Sequence, residues 1–206
     1  AWRHASLASC GTGKAKWATV LDFDALSKAE GKNWFWKGAE CLAPEDRYCL
    51  VHLSDGGGDA VEVREFDTAT KRFVAGGFHL ERAKQNVDWI DRDTLIVARP
   101  TSDADTTESG YAFTLRMLKR GQAFAEAKEV FRGDKRDAQV GASVVRDADG
   151  KLQATIAQRR VGFFETEFYL LGGVTPAKLP LPPRSSLRGY VDGHLIFSLQ
   201  ENWRNF

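Results

Sequence analysis

Charge of a single sign is missing from this sequence: 29 lysines and arginines face 28 aspartates and glutamates, for a formal net charge of +1. No chain-wide field therefore recruits nucleic acid or an anionic membrane, and neither is expected as a partner. Long apolar runs are missing as well. Stretches such as Phe168-Tyr-Leu-Leu171 fall far short of a membrane span, and the N-terminus lacks the charged, apolar and small-residue order of a signal peptide. Ala1-Trp2 does not read as a natural start, so the missing signal carries little weight. Cysteine is scarce: Cys10, Cys41 and Cys49 are an odd set with no Cys-x-x-Cys pair, which argues against a disulfide framework or a zinc site. Free thiols fit a reducing compartment, and a cytoplasmic location is expected. Cys41 and Cys49 flank one turn and would meet only in a hairpin register that sequence does not fix.

Catalytic constellations are also absent. Cys10-Gly-Thr-Gly-Lys14 resembles a phosphate-binding loop only superficially, since the motif needs glycine where Ala8 stands and Ser or Thr where Ala15 stands. Gly56-Gly-Gly58 joins two strands rather than opening a helix, so it reads as a hairpin turn rather than an anion cradle. His4, His52, His79 and His194 have no metal-ligand spacing, and no metal or cofactor is expected. Gly141-Ala-Ser-Val-Val145 lacks the second glycine of a nucleophile elbow and sits in an apparent inner strand. Glu165 and Glu167 share one side of a strand or loop, which fits a solvated edge better than an acid/base pair. The basic residues Lys14, Lys16, Lys119 and Arg120 are isolated among acids and read as solvated. No catalytic, cofactor-binding or metal-binding residue is therefore assigned. The tryptophans Trp2, Trp17, Trp34, Trp36, Trp89 and Trp203 stand near strand starts, where packing between sheets is a better reading than a sugar-stacking platform.

What is present is a repeat of turn and strand. Hydrophobic residues make up 43% of the 206 residues, enough for one large all-β domain or two small ones. Helical periodicity is confined to Asp24-Ala-Leu-Ser-Lys-Ala-Glu30, stopped by Gly31. The marker is Ala43 to Leu53, where Pro44 and Glu45-Asp46-Arg47 form a polar turn that leads into Tyr48, Leu50 and Leu53. Looser copies begin at Trp89, Val145 and Tyr190. Their turn residues Asp46, Asp91, Asp147 and Asp192 are separated by 45, 56 and 45 residues, within or just beyond the spacing of propeller blades.

Short strands fill the intervals. Trp17 to Phe23 leads into the helix, and Trp34–Leu42, Tyr48–Leu53, Ala60–Phe66 and Arg72–Val74 follow as one meander. Gln85–Ile90, Thr94–Arg99, Tyr111–Leu118 and Ala127–Phe131 form a second, with Thr101 to Ser109 as its long loop. Ala138–Arg146, Leu152–Arg159, Glu167–Leu171 and Pro176–Leu181 form a third. Leu187–Val191 and His194–Leu199 begin a fourth. The fold class expected is all-β, a partial β-propeller of four-stranded antiparallel blades, about three full ones plus parts of two. One domain over 1–206 is expected to divide into the end of a preceding blade with its linker (1–33), blades over 34–79, 80–134 and 135–183, and an incomplete unit over 184–206. A β-sandwich or barrel shares the strand spacing but gives no reason for the long repeat.

The order of residues resembles a particular propeller. Trp17 to Ala39, then Tyr48-Cys-Leu-Val-His-Leu-Ser-Asp-Gly-Gly-Gly-Asp-Ala60, Val63-Arg-Glu-Phe-Asp67, Trp89-Ile-Asp-Arg-Asp-Thr-Leu95 and Ser109-Gly-Tyr111, is similar to the N-terminal propeller of bacterial prolyl oligopeptidase family members. The likeness covers roughly Trp17 to Phe131, with the rest matched by blade grammar alone; WD-repeat and kelch propellers carry other signatures. It implies a seven-bladed propeller that restricts access by size to an α/β-hydrolase domain, whose Ser-Asp-His triad cleaves short, often proline-containing peptides. That hydrolase portion is absent from this sequence, so the chain reads as a fragment without a catalytic triad, inactive by itself. Its implied partners are the missing hydrolase domain and short peptide substrates. A stand-alone interaction scaffold is the alternative, and a glycan-binding or glycan-cleaving module a third. Unpaired sheet faces and strand edges in an incomplete propeller also favour self-association into a dimer or larger oligomer.

Overall fold

A computed structural model of the chain describes residues 1–203. The chain is divided into two compact units, one comprising residues 1–39 and 46–82 and the other residues 40–45 and 83–206.

The first unit opens with β1 (Trp2–His4), the short helix α1 (Leu7–Gly11) and β2 (Ala18–Leu21), with β1 and β2 antiparallel. Helix α2 (Phe23–Glu30) follows because its ends are chemically marked. The Asp22 carboxylate accepts from the N–H groups of Asp24 and Ala25 at 3.0 and 3.1 Å, and Gly31 closes the helix in the left-handed region at φ 64°. A mixed-length sheet comes next, in the order β3 (Trp34–Cys41), β4 (Tyr48–Asp55), β5 (Val61–Asp67) and β6 (Arg72–Phe73), with β7 (His79–Ala83) also paired to β5. The outer edge of β5 is thus shared by two short strands, with Gly76 and Gly77 between them. Glu65 marks the handover, since its carbonyl accepts from Val74 N–H while its own N–H donates to Phe78. A buried cluster of Val20, Phe23, Trp34, Val51, Leu53 and Phe66 holds the helix and sheet together. Trp34 and Phe73 also flank the Arg64 guanidinium, which pairs with Glu30 and Glu62.

The second unit contains two four-stranded antiparallel meanders and a hairpin. The first meander is β8 (Asn86–Asp91), β9 (Thr94–Ala98), β10 (Thr114–Lys119) and β11 (Lys128–Arg132). The second is β12 (Gln139–Arg146), β13 (Leu152–Arg160), β14 (Thr166–Leu171) and β15 (Ala177–Lys178), and β16 (Ser185–Val191) pairs with β17 (His194–Leu199) as the hairpin. Strand alternation puts Ile96, Ala98, Leu115 and Phe131 of one meander against Val140 and Ala157 of the next, and Ile156 and Phe168 against Leu187, Tyr190 and Phe197 of the hairpin. Each sheet therefore buries its faces against its sequence neighbours in this unit, which is the packing mode of propeller blades.

The all-β propeller expectation is met by these sheets, and every strand expected from Trp34 onward is present with ends shifted by a few residues. Strands β1 and β7 and helix α1 were not expected. The recurring turn aspartates do two different jobs. Asp91 and Asp147 accept turn N–H groups, from Asp93 and from Asp149 and Lys151, whereas Asp46 and Asp192 themselves sit at positive φ, 51° and 45°.

One expectation is corrected. Cys41 and Cys49 are disulfide-bonded, and Cys10 alone is a free thiol. Strands β3 and β4 are neighbours in one sheet, so the connecting turn returns the chain beside the end of β3, a register the sequence left open. Among the described residues no helix is long and apolar enough to cross a membrane.

Candidate functional site

The first strand of each meander has an edge with no further strand beyond it, and in the second unit side chains cover that edge. On β8, Asn86 and Asp88 are two residues apart and lie on one side, with buried Val87 and Trp89 on the other. The Asn86 Oδ1 atom accepts from Ala142 N–H at 3.4 Å, and Asp88 Oδ2 accepts from Val144 N–H at 3.2 Å. Two alternate amides of β12 are thus satisfied by two alternate side chains of β8. Arg146 closes the seam from the other strand, donating to the carbonyls of Trp89 and Ile90 at 2.9 and 2.8 Å and to Gly150 at 2.9 Å. The Trp89 indole in turn donates to the Glu40 carbonyl at 2.9 Å.

Acidic groups gather at this seam. Burial raises the Asp88 carboxyl above its ordinary range, partly offset by hydrogen bonds from Val144 and Trp89 N–H and by the charge of Arg146. The Glu40 carboxyl is likewise raised, first by desolvation and then by the Asp88 charge, although the residue as a whole is exposed. Local crowding of the carboxyl, rather than burial of the whole side chain, accounts for this. A carboxylate pair of this kind favours the proton-bound state of one member.

Beside the seam lies a cleft of about 210 Å³ lined mainly by Asn86, Gln139, Ser143, Gln158, Arg160 and Thr166, with Gly141 in its wall. Register builds its outer row, because Gln139 stands opposite Arg160 on β13, and Arg160 opposite Thr166 on β14. In the next row Gly141 stands opposite Gln158, whose amide donates to Ser143 Oγ. The lining contains one cation and no carboxylate.

The residues considered from sequence are dispersed. Cys10 and Gly11 are the last residues of α1, and Thr12 to Lys14 follow as its capped turn, with Thr12 Oγ1 accepting from Lys14 N–H. Ser143 lies within β12 and accepts from Gln158 rather than from a base. Glu167 is held by Lys178, Arg159 and Tyr169, while Glu165 stands in the preceding turn against Gly162. His79 meets Glu62 at 2.7 Å, the His194 ring meets the Asp192 carbonyl at 2.7 Å, and His4 lies on exposed β1. His52 on β4 is different: burial pushes its imidazole down to about 4, and Nε2 has no hydrogen-bond partner. Trp34 and Trp89 pack inside, Trp2 stacks against Trp36, and Trp17 and Trp36 are exposed. Among the described residues no group of three or more His, Cys, Asp or Glu side chains could hold a metal ion.

Asn86, Asp88, Gln139 and Arg160 carried no role in the sequence reading. Their available signal was a polar residue at every second position of an otherwise buried strand, as in Asn86-Val-Asp-Trp89, which resembles ordinary strand alternation until the neighbouring sheet is in place.

Successive four-stranded antiparallel sheets, packed face to face and joined at their first strands, define this chain as a β-propeller protein. It belongs to the prolyl oligopeptidase N-terminal β-propeller family, whose model matches residues 1–202. The chain is 44% identical over 206 residues to the uncharacterized peptidase y4nA of Sinorhizobium fredii, covering 98% of this chain and 28% of that protein. The uncharacterized peptidase RP174 of Rickettsia prowazekii is 28% identical over 217 residues, covering 98% of this chain and 30% of that protein. Among solved structures, a post-proline cleaving enzyme from Rickettsia typhi superposes with a TM-score of 0.88 at 26% identity, over 98% of this chain and 31% of that one. A prolyl endopeptidase structure matches with a TM-score of 0.67 at 18% identity, which speaks for the fold alone; it covers 88% of this chain and 26% of the other. The chain thus spans less than a third of the length of the relatives it matches.

Proposed function

We propose that this chain is the substrate-gating part of a prolyl oligopeptidase-like serine peptidase that hydrolyses short, often proline-containing peptides. The observation that carries the reading is the family match along residues 1–202, joined to a fold that superposes on a post-proline cleaving enzyme with a TM-score of 0.88. In this reading the chemistry belongs to a peptidase domain elsewhere in the full-length protein, and the propeller admits short peptides through its central channel while excluding folded chains. The cleft beside the first strands suits the handling of peptides, because amide and hydroxyl side chains line it with Arg160 as its one cation and offer a peptide hydrogen bonds.

Two measurements test it. The 206-residue chain alone should not turn over a proline-containing chromogenic peptide; hydrolysis abolished by a serine-directed inhibitor would place the chemistry in this chain and overturn the reading. The full-length protein should cleave short peptides and lose kcat/KM steeply with substrate length. Equal cleavage of a short peptide and of a long unfolded protein carrying the same site would remove the gating role.

A further inference from the structure

We propose that the cleft formed by Gln139, Arg160 and Thr166 binds the C-terminal carboxylate of a short peptide, an inference that rests on the peptide-handling role above. Three strands place the three side chains in one cross-strand row, Gln139 opposite Arg160 and Arg160 opposite Thr166. Neighbouring rows in a sheet stand close enough for their side chains to act on a single ligand. Among the described residues the Arg160 guanidinium has no ion pair or hydrogen bond, in contrast to Arg159 beside it, which Asp137 and Glu167 engage at 2.7 and 3.3 Å. Alternation explains the contrast, since the two arginines face opposite sides of β13.

The rest of the lining favours an anion with two acceptor oxygens. Gln139 and Thr166 add neutral donors on either side of the guanidinium, Gly141 leaves space in the wall, and the lining supplies no carboxylate to compete. On the seam, the Asp88 carboxylate is engaged with Val144 N–H. A guanidinium fork matches a carboxylate in plane and spacing, and the cavity of about 210 Å³ holds a terminal residue rather than a whole peptide.

The test uses the full-length peptidase and matched proline-containing peptides that end either in a free carboxylate or in a carboxamide. Arg160→Gln should raise KM for the acid roughly tenfold, the loss expected of one charge-assisted pair, while leaving KM for the carboxamide within about twofold and kcat for both unchanged. Arg160→Lys should give an intermediate KM for the acid. Equal effects on the two peptides, or none on either, would overturn the proposal. Thermal shift separates its failure from that of the peptidase reading. If the wild-type protein cleaves neither peptide, the peptidase reading fails, and the cleft is still tested by whether the acid raises the melting temperature more than the carboxamide in wild type but not in Arg160→Gln. No such difference would remove the cleft as a carboxylate site.

Discussion

Asp88 on β8 and Val144 on β12 are 56 residues apart in sequence, yet the carboxylate of one caps the backbone N–H of the other at 3.2 Å. The bond joins two sheets without a strand pairing between them. It also confines a carboxylate where burial disfavours its charge.

Asp88→Asn is therefore expected to preserve or raise stability at neutral pH. The folded-state pKa of Asp88 is raised, so its contribution is fully present below the ordinary aspartate value and is lost as pH rises through the folded value. Asparagine keeps an acceptor for Val144 N–H without the charge. Asp88→Ala leaves that amide unsatisfied and should cost about 1–3 kcal/mol. Thermal melts of both variants in the full-length protein at pH 5 and pH 8 check the pair, and a larger loss for Asn than for Ala would contradict the assignment.

His52 should dominate the acid side. Its pKa is depressed from 6.5 to about 4 by burial, so stability is fully present above 6.5 and is lost as pH falls toward 4. The loss is on the order of 3–4 kcal/mol, scaled from about 1.4 kcal/mol per pKa unit. His52→Leu removes the ionisation, and urea titrations at pH 7 and pH 4.5 should show a smaller difference for the variant than for wild type.

Gly150 cannot accept a side chain. At φ 78° its added Cβ would stand 2.7 Å from both N and Cδ of Pro44 and 2.9 Å from the Ala43 carbonyl carbon. These are backbone and ring atoms that cannot rotate away. Gly150→Ala should cost about 1–2 kcal/mol from the left-handed backbone alone, and more from the contact, read as a lower melting temperature than Gly121→Ala, where φ is also positive but nothing lies within 4 Å.

Thiol counting checks the cysteines. Alkylation of the unfolded, unreduced protein should label Cys10 only, with Cys41 and Cys49 released after reduction. Three labels before reduction would restore the free thiols expected from sequence and remove the Cys41–Cys49 bond.

Much of the fold was legible because strands announce themselves by alternation and turns by their chemistry. Val61-Glu-Val-Arg-Glu-Phe-Asp67 reads as a strand on sight, and Gly31 marks the end of α2, whereas its start at the Asp22 cap lay inside the strand expected over Trp17 to Phe23. The short strand β7 was missed because His79-Leu-Glu-Arg-Ala83 buries one residue well and gains its place only by sharing the edge of β5. The seam was missed for a different reason. Asn86 and Asp88 look like the solvent side of a strand, and only the edge of β12 makes them structural. Arg159 and Arg160 are adjacent and chemically identical in the sequence, but register gives one a buried carboxylate and leaves the other unpaired.

The seam between β8 and β12 has a kinetic consequence. Amides inside the β12–β13 ladder are protected by a continuous run of backbone bonds, so their exchange with solvent requires the sheet to come apart. The amides of Ala142 and Val144 are guarded by single side chains. A rotamer change at Asn86 or Asp88 frees them while both sheets stay intact. Their hydrogen-exchange rates therefore clock the parting of two neighbouring sheets separately from the unfolding of either one.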